Sequence, residues 1–323
     1  MRKPIEIKQQ RPMIVLTGPT AVGKTALSIS LAKAVDGEII SADSMQVYKM
    51  MDIGSAKITK EEMQGVPHHL IDVLQPWEDF HVVKFQELCK KCIEEIYERG
   101  HIPIITGGTG FYIQAVLKDI DFTESDCQSE YRQRLETLAK EKGAEYLHEM
   151  LCRVDPESAD AIHANNIKRT IRALEYYELT GEKISEHNET EKQKKSAYNS
   201  YYFVLTDDRE KLYERINVRV DQMIENGLVE EVRKLMESGC KRGMTSMQGL
   251  GYKEIASYLE GEISLEEAIY LIKRDTRHFA KRQLTWFRRE QDVIWINRAK
   301  FPGEDKEEKM LEFVLEKFYE EAK

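Results

Sequence analysis

Short apolar runs and amphipathic segments alternate along the first 120 residues. Residues 13–17 (MIVLT) predict a buried strand, the pattern ALSISLAKAV predicts a helix, and EIISADS predicts a second strand. Gly37 ends the first helix and Gly100 ends a later one, after which IPIITGGTG predicts another strand that leads into a glycine-rich turn. This order predicts an α/β fold with a parallel sheet flanked by helices, whose ligands bind at the carboxyl ends of the strands.

The pattern changes between residues 120 and 198. This stretch has no β-branched strand pattern, whereas YRQRLETLAKEKGAEYLHEMLCRV and NIKRTIRALEYYELTG predict helices and TEKQKKSAYNS predicts a polar linker. YYFVLT (201–206) predicts a returning strand, and DVIWIN (292–297) predicts a short late one. We therefore expect an α/β core made of residues 1–119 and 199–323, with an all-helical insertion domain at 120–198.

The composition is that of a soluble globular protein, with 41% hydrophobic and 33% charged residues in 323 positions. The first apolar run, Met13–Leu16, is too short for a signal peptide, so we expect a cytoplasmic protein without a membrane partner. Five cysteines (89, 92, 127, 152 and 240) in such a chain indicate free thiols. The CxxC spacing at 89–92 lies on an amphipathic helix with no second pair, which favours packing over zinc binding.

The net charge of −9 conceals a strongly basic segment. Residues 273–289, here named the basic stripe, hold seven Lys/Arg against one acid, which gives +6 and leaves −15 for the rest of the chain. A basic stripe on an acidic body indicates a selective polyanion site and not a general nucleic-acid coat.

A complete phosphate-binding motif follows the first strand. Gly18 and Gly23 permit the bend, the loop amides and the helix N-terminus direct partial positive charge at phosphate oxygens, Lys24 adds a full charge, and Thr25 can hold Mg²⁺. The motif specifies a polyphosphate but not a nucleotide. Its members, here named the phosphate loop, are Gly18, Pro19, Thr20, Ala21, Val22, Gly23, Lys24 and Thr25.

One feature differs from ordinary ATPases. Their Mg²⁺ site is completed by an aspartate at the end of a hydrophobic strand, whereas IPIITGGTG ends in Gly-Gly-Thr. Asp72 in HHLIDVL is the candidate substitute, and the mismatch indicates a ligand other than ATP. The neighbouring His68 and His69 point to opposite faces of a strand, which argues against a shared metal.

Asp43 in EIISADSMQVY follows the second strand, close to the phosphate loop in this architecture. Phosphate repels a carboxylate there unless the carboxylate has a task, such as binding Mg²⁺ or accepting a proton. The alternative from position alone is an Asx-type turn.

GPTAVGKT, SADSMQVYKMMDIGSAK, VPHHLID, IPIITGGTGFY, GLGYKE and AKRQLTWFR together resemble the bacterial tRNA dimethylallyltransferase family, in the same order from about residue 12 to 298. The resemblance implies that the phosphate loop and Mg²⁺ bind the diphosphate of dimethylallyl diphosphate and that Asp43 is the general base. The acceptor would be the exocyclic amine of the adenosine 3′ to the tRNA anticodon. Arg215 and Arg219 share a helical face, and the resemblance places one of them, preferably Arg219, on the diphosphate; alone, both fit a solvated face.

The resemblance also implies a set of contacts to the tRNA anticodon stem-loop. Taken alone, the cations of the insertion fit a solvated face, the GLGYK segment fits a turn between helices, and Trp286 fits the core. The implied contacts are Asp43, Ser44, Met45, Gln46, Thr109, Arg132, Asn166, Lys168, Arg169, Arg172, Gln248, Gly251, Tyr252, Lys253, Lys281, Arg282, Gln283, Trp286 and Arg288.

Three other functions compete with tRNA prenylation. An adenylate isopentenyltransferase would share the phosphate loop and Asp43 but would not need the insertion or the basic stripe. A P-loop small-molecule kinase would consume ATP, and a non-enzymatic RNA-binding module would not need the phosphate loop. We expect the tRNA enzyme, acting as a monomer.

Overall fold

The computed structural model describes residues 11–122 and 130–321, so Cys127 lies outside the described residues. The chain divides into two compact units, Met1–Leu117 together with Tyr198–Lys323, and Lys118–Ala197. Each unit has its own core.

A six-stranded sheet forms the centre of the first unit. All of its ladders are parallel, and the strand order is β3-β2-β4-β1-β5-β6. The carboxyl ends of all strands therefore lie along one edge, which confirms the predicted α/β class. The strands are β1 (Pro12–Thr17), β2 (Gly37–Ala42), β3 (His68–His69), β4 (Ile102–Gly107), β5 (Asn199–Thr206) and β6 (Val293–Asn297).

Helices account for most of the remaining described residues. Those of the first unit flank the sheet, and α5 to α9 belong to the second unit. In chain order they are α1 (Lys24–Val35), α2 (Lys60–Met63), α3 (Val82–Arg99), α4 (Gly110–Leu117), α5 (Glu130–Lys142), α6 (Ala144–Val154), α7 (Pro156–Ala161), α8 (Ile167–Thr180), α9 (Ile184–Gln193), α10 (Arg209–Glu225), α11 (Leu228–Glu237), α12 (Tyr252–Leu259), α13 (Leu265–Phe287) and α14 (Lys306–Glu321).

The central strand β1 is buried throughout, because both of its faces are covered. Met13 and Val15 belong to one core cluster, whereas Ile14 and Leu16 belong to another on the opposite face. This follows from the two-residue period of a strand. A continuous apolar run of this kind is the signature of a strand buried between two layers of helices.

Capping residues define both ends of the helix that carries the CxxC spacing. The His81 side chain accepts a hydrogen bond from Lys84 N at the start of α3, and Gly100 ends the helix with a φ of 81°. Cys89 lies in the core, and burial raises the pKa of its thiol well above its ordinary value. The four described cysteines are free, and no helix among the described residues is both long and apolar enough to cross a bilayer.

The second unit packs around leucines such as Leu135, Leu147 and Leu151. Buried carboxylates also organise it. Asp155 accepts hydrogen bonds from the backbone and hydroxyl of Ser158 (3.1 and 2.6 Å) and of Ser185 (3.0 and 2.7 Å), which connects α7 to α9. Four satisfied donors around a buried carboxylate make this junction specific.

Candidate functional site

The phosphate loop connects β1 to α1 at the carboxyl edge of the sheet. Three of its residues have left-handed backbone, Gly18 (φ 148°), Ala21 (φ 60°) and Gly23 (φ 97°). The ammonium of Lys24 donates to the carbonyl oxygens of Gly18 (3.0 Å) and Pro19 (2.8 Å), while Thr25 is exposed in the first turn of α1. The loop is thus folded around its own lysine.

Burial lowers the pKa of Lys24 to about 7, with a further decrease from the cation of Arg219 and an opposing increase from Asp43. Burial also lowers the pKa of Arg219, which the charge of Asp43 opposes. For Tyr112, burial and then Asp43 raise the pKa to about 12. Asp43 is therefore within electrostatic reach of Lys24, Arg219 and Tyr112.

The carboxylate of Asp43 is oriented by its own turn. Oδ1 accepts the backbone N–H of Met45 at 2.8 Å and that of Gln46 at 3.4 Å, whereas Oδ2 makes no hydrogen bond among the described residues. Asp43 therefore forms the Asx-type turn that its position suggests. That turn leaves one oxygen available for chemistry.

The two arginines of α10 differ in what they contact. Arg215 donates from Nε to the Ala21 carbonyl (3.0 Å) and from Nη2 to Asp207 (2.7 Å), so the phosphate loop itself occupies its guanidinium. Arg219 instead lies among the charges of Asp43 and Lys24. This geometry favours Arg219 for an incoming anion.

A single amide connects the phosphate loop to the glycine-rich turn. Gln283 Oε1 accepts the N–H of Thr20 (2.9 Å), and its Nε2 donates to the Gly108 carbonyl (2.9 Å). The side chain is 5% exposed, and a Cβ on Gly108 would overlap its Nε2. Gln283 thus bridges the phosphate loop and the glycine-rich turn, and its RNA contact stays a prediction.

The segment after Asp43 is held by side chains. Gln46 accepts from the Ser41 hydroxyl (3.1 Å) and donates to the carbonyls of Ser55 (3.4 Å) and Ala56 (3.3 Å). Glu231 of α11 accepts the backbone N–H groups of residues 52 (2.9 Å), 53 (2.7 Å) and 54 (3.0 Å), and the hydroxyl of Tyr252 (2.7 Å). Sequence reasoning missed Glu231, because an acid on an amphipathic helix gives no local signal of its partners.

Tyr252 is fully buried in the free protein, and its contact with tRNA stays a prediction. Its hydroxyl bonds Glu231, and its ring lies where a Cβ of Gly54 would be.

The neighbouring predicted contacts differ in exposure. Gly251 is buried, Lys253 forms an ion pair with Glu254 (3.3 Å), and Gln248 is exposed. A Cβ on Gly249 would overlap the Met45 side chain, and Ser44 and Thr109 are half-buried.

The basic stripe runs along the second half of α13 and just past it. Lys281, Arg282 and Arg288 are exposed, while Trp286 is half-buried and lies edge-on to Phe111 with ring centroids 6.0 Å apart. The cations at the end of this segment therefore face solvent while Gln283 is buried, whereas Lys273 and Arg277 nearer its start are half-buried and bond Asp221 and Asn217. That division is what a helix with one site-facing side and one polyanion-facing side would show.

Within the second unit, the predicted RNA contacts separate into two groups. Lys168 and Arg169 are exposed at the start of α8, which Asn166 caps by accepting the N–H of Arg169 (3.4 Å), and Arg172 is half-buried. Arg132 instead forms an ion pair with the buried Glu175 (2.9 Å). The RNA contact of Arg132 stays a prediction, and the buried carboxylate of Glu175 holds its guanidinium in the free protein.

The candidate metal ligands outside the loop are occupied. Asp72 binds the ammonium of Lys57 at 2.6 Å, which removes it as a substitute Mg²⁺ ligand. His68 contacts the Val66 carbonyl (2.8 Å) and His69 contacts Glu38 (2.6 Å), in agreement with the opposite faces predicted. Among residues 11–122 and 130–321, no cluster of three His, Cys, Asp or Glu side chains could hold a metal ion.

Comparisons with known proteins agree with this geometry. The chain is 64% identical over 291 residues to a tRNA dimethylallyltransferase of Lachnoclostridium phytofermentans, covering 90% of this chain and 93% of that protein. A crystal structure of a tRNA isopentenylpyrophosphate transferase from Bacillus halodurans matches at a TM-score of 0.73 and 46% identity, covering 97% of this chain and 98% of that one.

A eukaryotic dimethylallyltransferase acting on tRNA matches at a TM-score of 0.76 and 30% identity, covering 88% of this chain and 73% of that one. The family model described as IPP transferase matches residues 46–290, about three-quarters of the length. With its parallel sheet, its phosphate loop and the charged cluster around Asp43, this chain belongs to the IPP transferase family.

Proposed function

We propose that this protein transfers the dimethylallyl group of dimethylallyl diphosphate to the exocyclic amine of the adenosine that follows the tRNA anticodon. The observation that carries the proposal is the cluster of Lys24, Arg219 and Asp43 at one edge of the sheet. Two cations suit a departing diphosphate, and the adjacent carboxylate suits a nitrogen that must lose a proton. The names of the relatives supply the tRNA and the prenyl group.

The diphosphate would bind in the phosphate loop. Loop amides at the N-terminus of α1, the ammonium of Lys24 and the guanidinium of Arg219 would take up the charge that develops on the leaving oxygen. As the bond between the allylic carbon and that oxygen breaks, its electron pair leaves with diphosphate. No phosphoryl group is transferred, so the loop needs no catalytic aspartate at the end of β4.

The acceptor amine would attack the same allylic carbon. Its lone pair is delocalised into the adenine ring, so the nitrogen becomes competent only if a proton leaves as the new carbon–nitrogen bond forms. Asp43 Oδ2 would accept that proton, since Oδ1 is held by the turn. The base must leave the RNA stack to reach this depth, and the exposed cations of α13 would hold the backbone on either side.

Mg²⁺ fits this site as a companion of the diphosphate. The exposed hydroxyl of Thr25 is the one protein ligand we assign to it, because Asp72 is bound to Lys57. When bound, the ion would supply charge neutralisation on the leaving group. We further propose that the enzyme acts as a monomer in the cytoplasm.

Incubation of purified protein with tRNA and labelled dimethylallyl diphosphate tests the proposal. Label should enter tRNA at the adenosine next to the anticodon, without consumption of ATP, and free AMP or ATP should not compete as acceptors. Label transfer to free nucleotide would indicate an adenylate isopentenyltransferase. Cleavage of ATP without prenyl transfer would refute the proposal.

A further inference from the structure

Arg298 lies beside the phosphate loop although it is more than 270 residues away in sequence. It is the first residue after β6, which pairs with β5, which in turn pairs with β1. Because the three strands are parallel, their carboxyl ends stand side by side. The phosphate loop, Asp207 and Arg298 therefore share one edge of the sheet.

The guanidinium of Arg298 is buried in an unusual way. The residue is 9% exposed, and its Nη2 donates to Glu307 at 2.8 Å. Its Nε and Nη1 are buried and have no hydrogen-bond partner among the described residues. Buried donors without partners are costly and are retained where the group has a task besides stability.

In the phosphate loop, the guanidinium of Arg298 lies against Gly23. A Cβ on Gly23 would overlap Nη1 of Arg298 and lie 3.1 Å from its Cζ. Gly23 has a φ of 97° and precedes Lys24, so a side chain there would be strained as well as obstructed. At any residue the Cα–Cβ bond and the N–H bond point in different directions. Arg298 therefore lies on a different side of Gly23 from the one to which the Gly23 N–H points.

A second arginine supports the same loop. Arg215 donates to the Ala21 carbonyl and binds Asp207, whose other neighbour is Arg298 Nε at 3.7 Å. Asp207 is 5% exposed in its side chain, so one buried carboxylate lies between two guanidinium groups. These residues form a brace, named here as Arg215, Asp207 and Arg298, whose charges are balanced once Glu307, the partner of Arg298, is included.

We propose that Arg298 is a positioning residue for diphosphate binding. It holds Gly23 in its left-handed conformation from outside and so fixes the direction in which Lys24 and the start of α1 leave the loop. The inference rests on the proposed function, because it presumes that the loop binds diphosphate. It also explains why the chain after β6 belongs to the site.

Replacement of Arg298 by methionine tests the role. For Arg298→Met we expect the Kd of inorganic pyrophosphate and the KM of dimethylallyl diphosphate to rise by about tenfold, as for the loss of one charge-assisted support. The KM of tRNA should not change. Arg298→Lys should restore part of the affinity, because it keeps the charge but not the flat contact with Gly23.

Arg99→Met is the matched control. Arg99 also binds a buried carboxylate, Glu38, through two contacts of 2.8 Å, but at the amino end of β2, opposite the site. That variant should lose stability and keep its pyrophosphate affinity. If Arg298→Met does not fold, the comparison of Arg298→Lys with wild type carries the test.

An unchanged pyrophosphate Kd in folded Arg298→Met would overturn the inference, and so would an equal loss in Arg99→Met. If Arg298→Met does not fold, a wild-type pyrophosphate Kd in Arg298→Lys would also overturn the inference. Failure of the proposed function has a different signature, since wild-type protein would then neither bind pyrophosphate nor transfer the prenyl group.

Discussion

The lowered pKa of Lys24 gives diphosphate binding a specific dependence on pH. In the free protein burial keeps this pKa near 7, so the ammonium is half neutral at that pH. A bound diphosphate places negative charge beside the same nitrogen and raises its pKa. Above pH 7, binding must therefore take up a proton, and affinity must fall as pH rises.

The size of the effect follows from the protonated fraction. Half of the Lys24 side chains carry a proton at about pH 7 and one in about a hundred at about pH 9, so affinity should fall about 50-fold over that interval. Below pH 7 the side chain is already charged and the dependence on Lys24 disappears. This fall in affinity is expected as long as the pKa of Lys24 in the pyrophosphate complex stays above the pH of the measurement.

Isothermal titration with inorganic pyrophosphate, at fixed ionic strength and Mg²⁺, measures this dependence. Lys24→Met should bind pyrophosphate more weakly at every pH. Its affinity should follow only the titration of pyrophosphate itself, and this pH dependence is then subtracted from that of the wild type. Lys24→Arg keeps a permanent charge and should also lack the extra slope. The reasoning is refuted if wild type and Lys24→Met have parallel pH profiles, or if wild-type binding at about pH 8 takes up no proton.

Three further predictions concern other parts of the site. Asp43→Asn keeps the acceptor for Met45 N–H but cannot take a proton, so kcat should fall by about 10² to 10⁴ while the tRNA Kd stays unchanged; near-normal turnover would remove Asp43 from the chemistry. Gln283→Leu leaves the Thr20 N–H and the Gly108 carbonyl without their partner, so the KM of dimethylallyl diphosphate and the thermal stability should both suffer, whereas Thr285→Ala, exposed on the same helix, should change neither. Lys281→Gln and Arg288→Gln should each reduce the slope of log Kd for tRNA against log salt by about one, and an unaltered slope would place the RNA elsewhere.

The sequence predicted the parallel sheet because its strands and the phosphate loop carry local signals. Apolar runs such as MIVLT and the glycines that end helices depend only on near neighbours in the chain. The Asx turn of Asp43 was one of the alternatives that its position left open, because an aspartate bonds backbone groups two or three residues away. The same local reasoning separated His68 from His69.

The sequence could not predict contacts across hundreds of residues. The family resemblance implied an RNA contact for Gln283, but nothing near it in the chain indicated that its amide bonds Thr20 and Gly108. Local patterns likewise could not indicate that Tyr252 bonds Glu231 or that Arg132 pairs with Glu175, because these partners come from other helices. Arg219 was preferred over Arg215 on the resemblance alone, and the structure adds that Arg215 donates to the Ala21 carbonyl.

The position of β1 between β4 and β5 has a consequence for biosynthesis. When β4 leaves the ribosome, β1 can pair on one side only, and its other edge stays open until β5, which begins at Asn199, has been made. At about 5 to 20 residues per second the nascent chain carries that exposed apolar edge for roughly 5 to 18 seconds. Chaperone contact is expected to fall in this interval, and the first motif to be translated is among the last to mature.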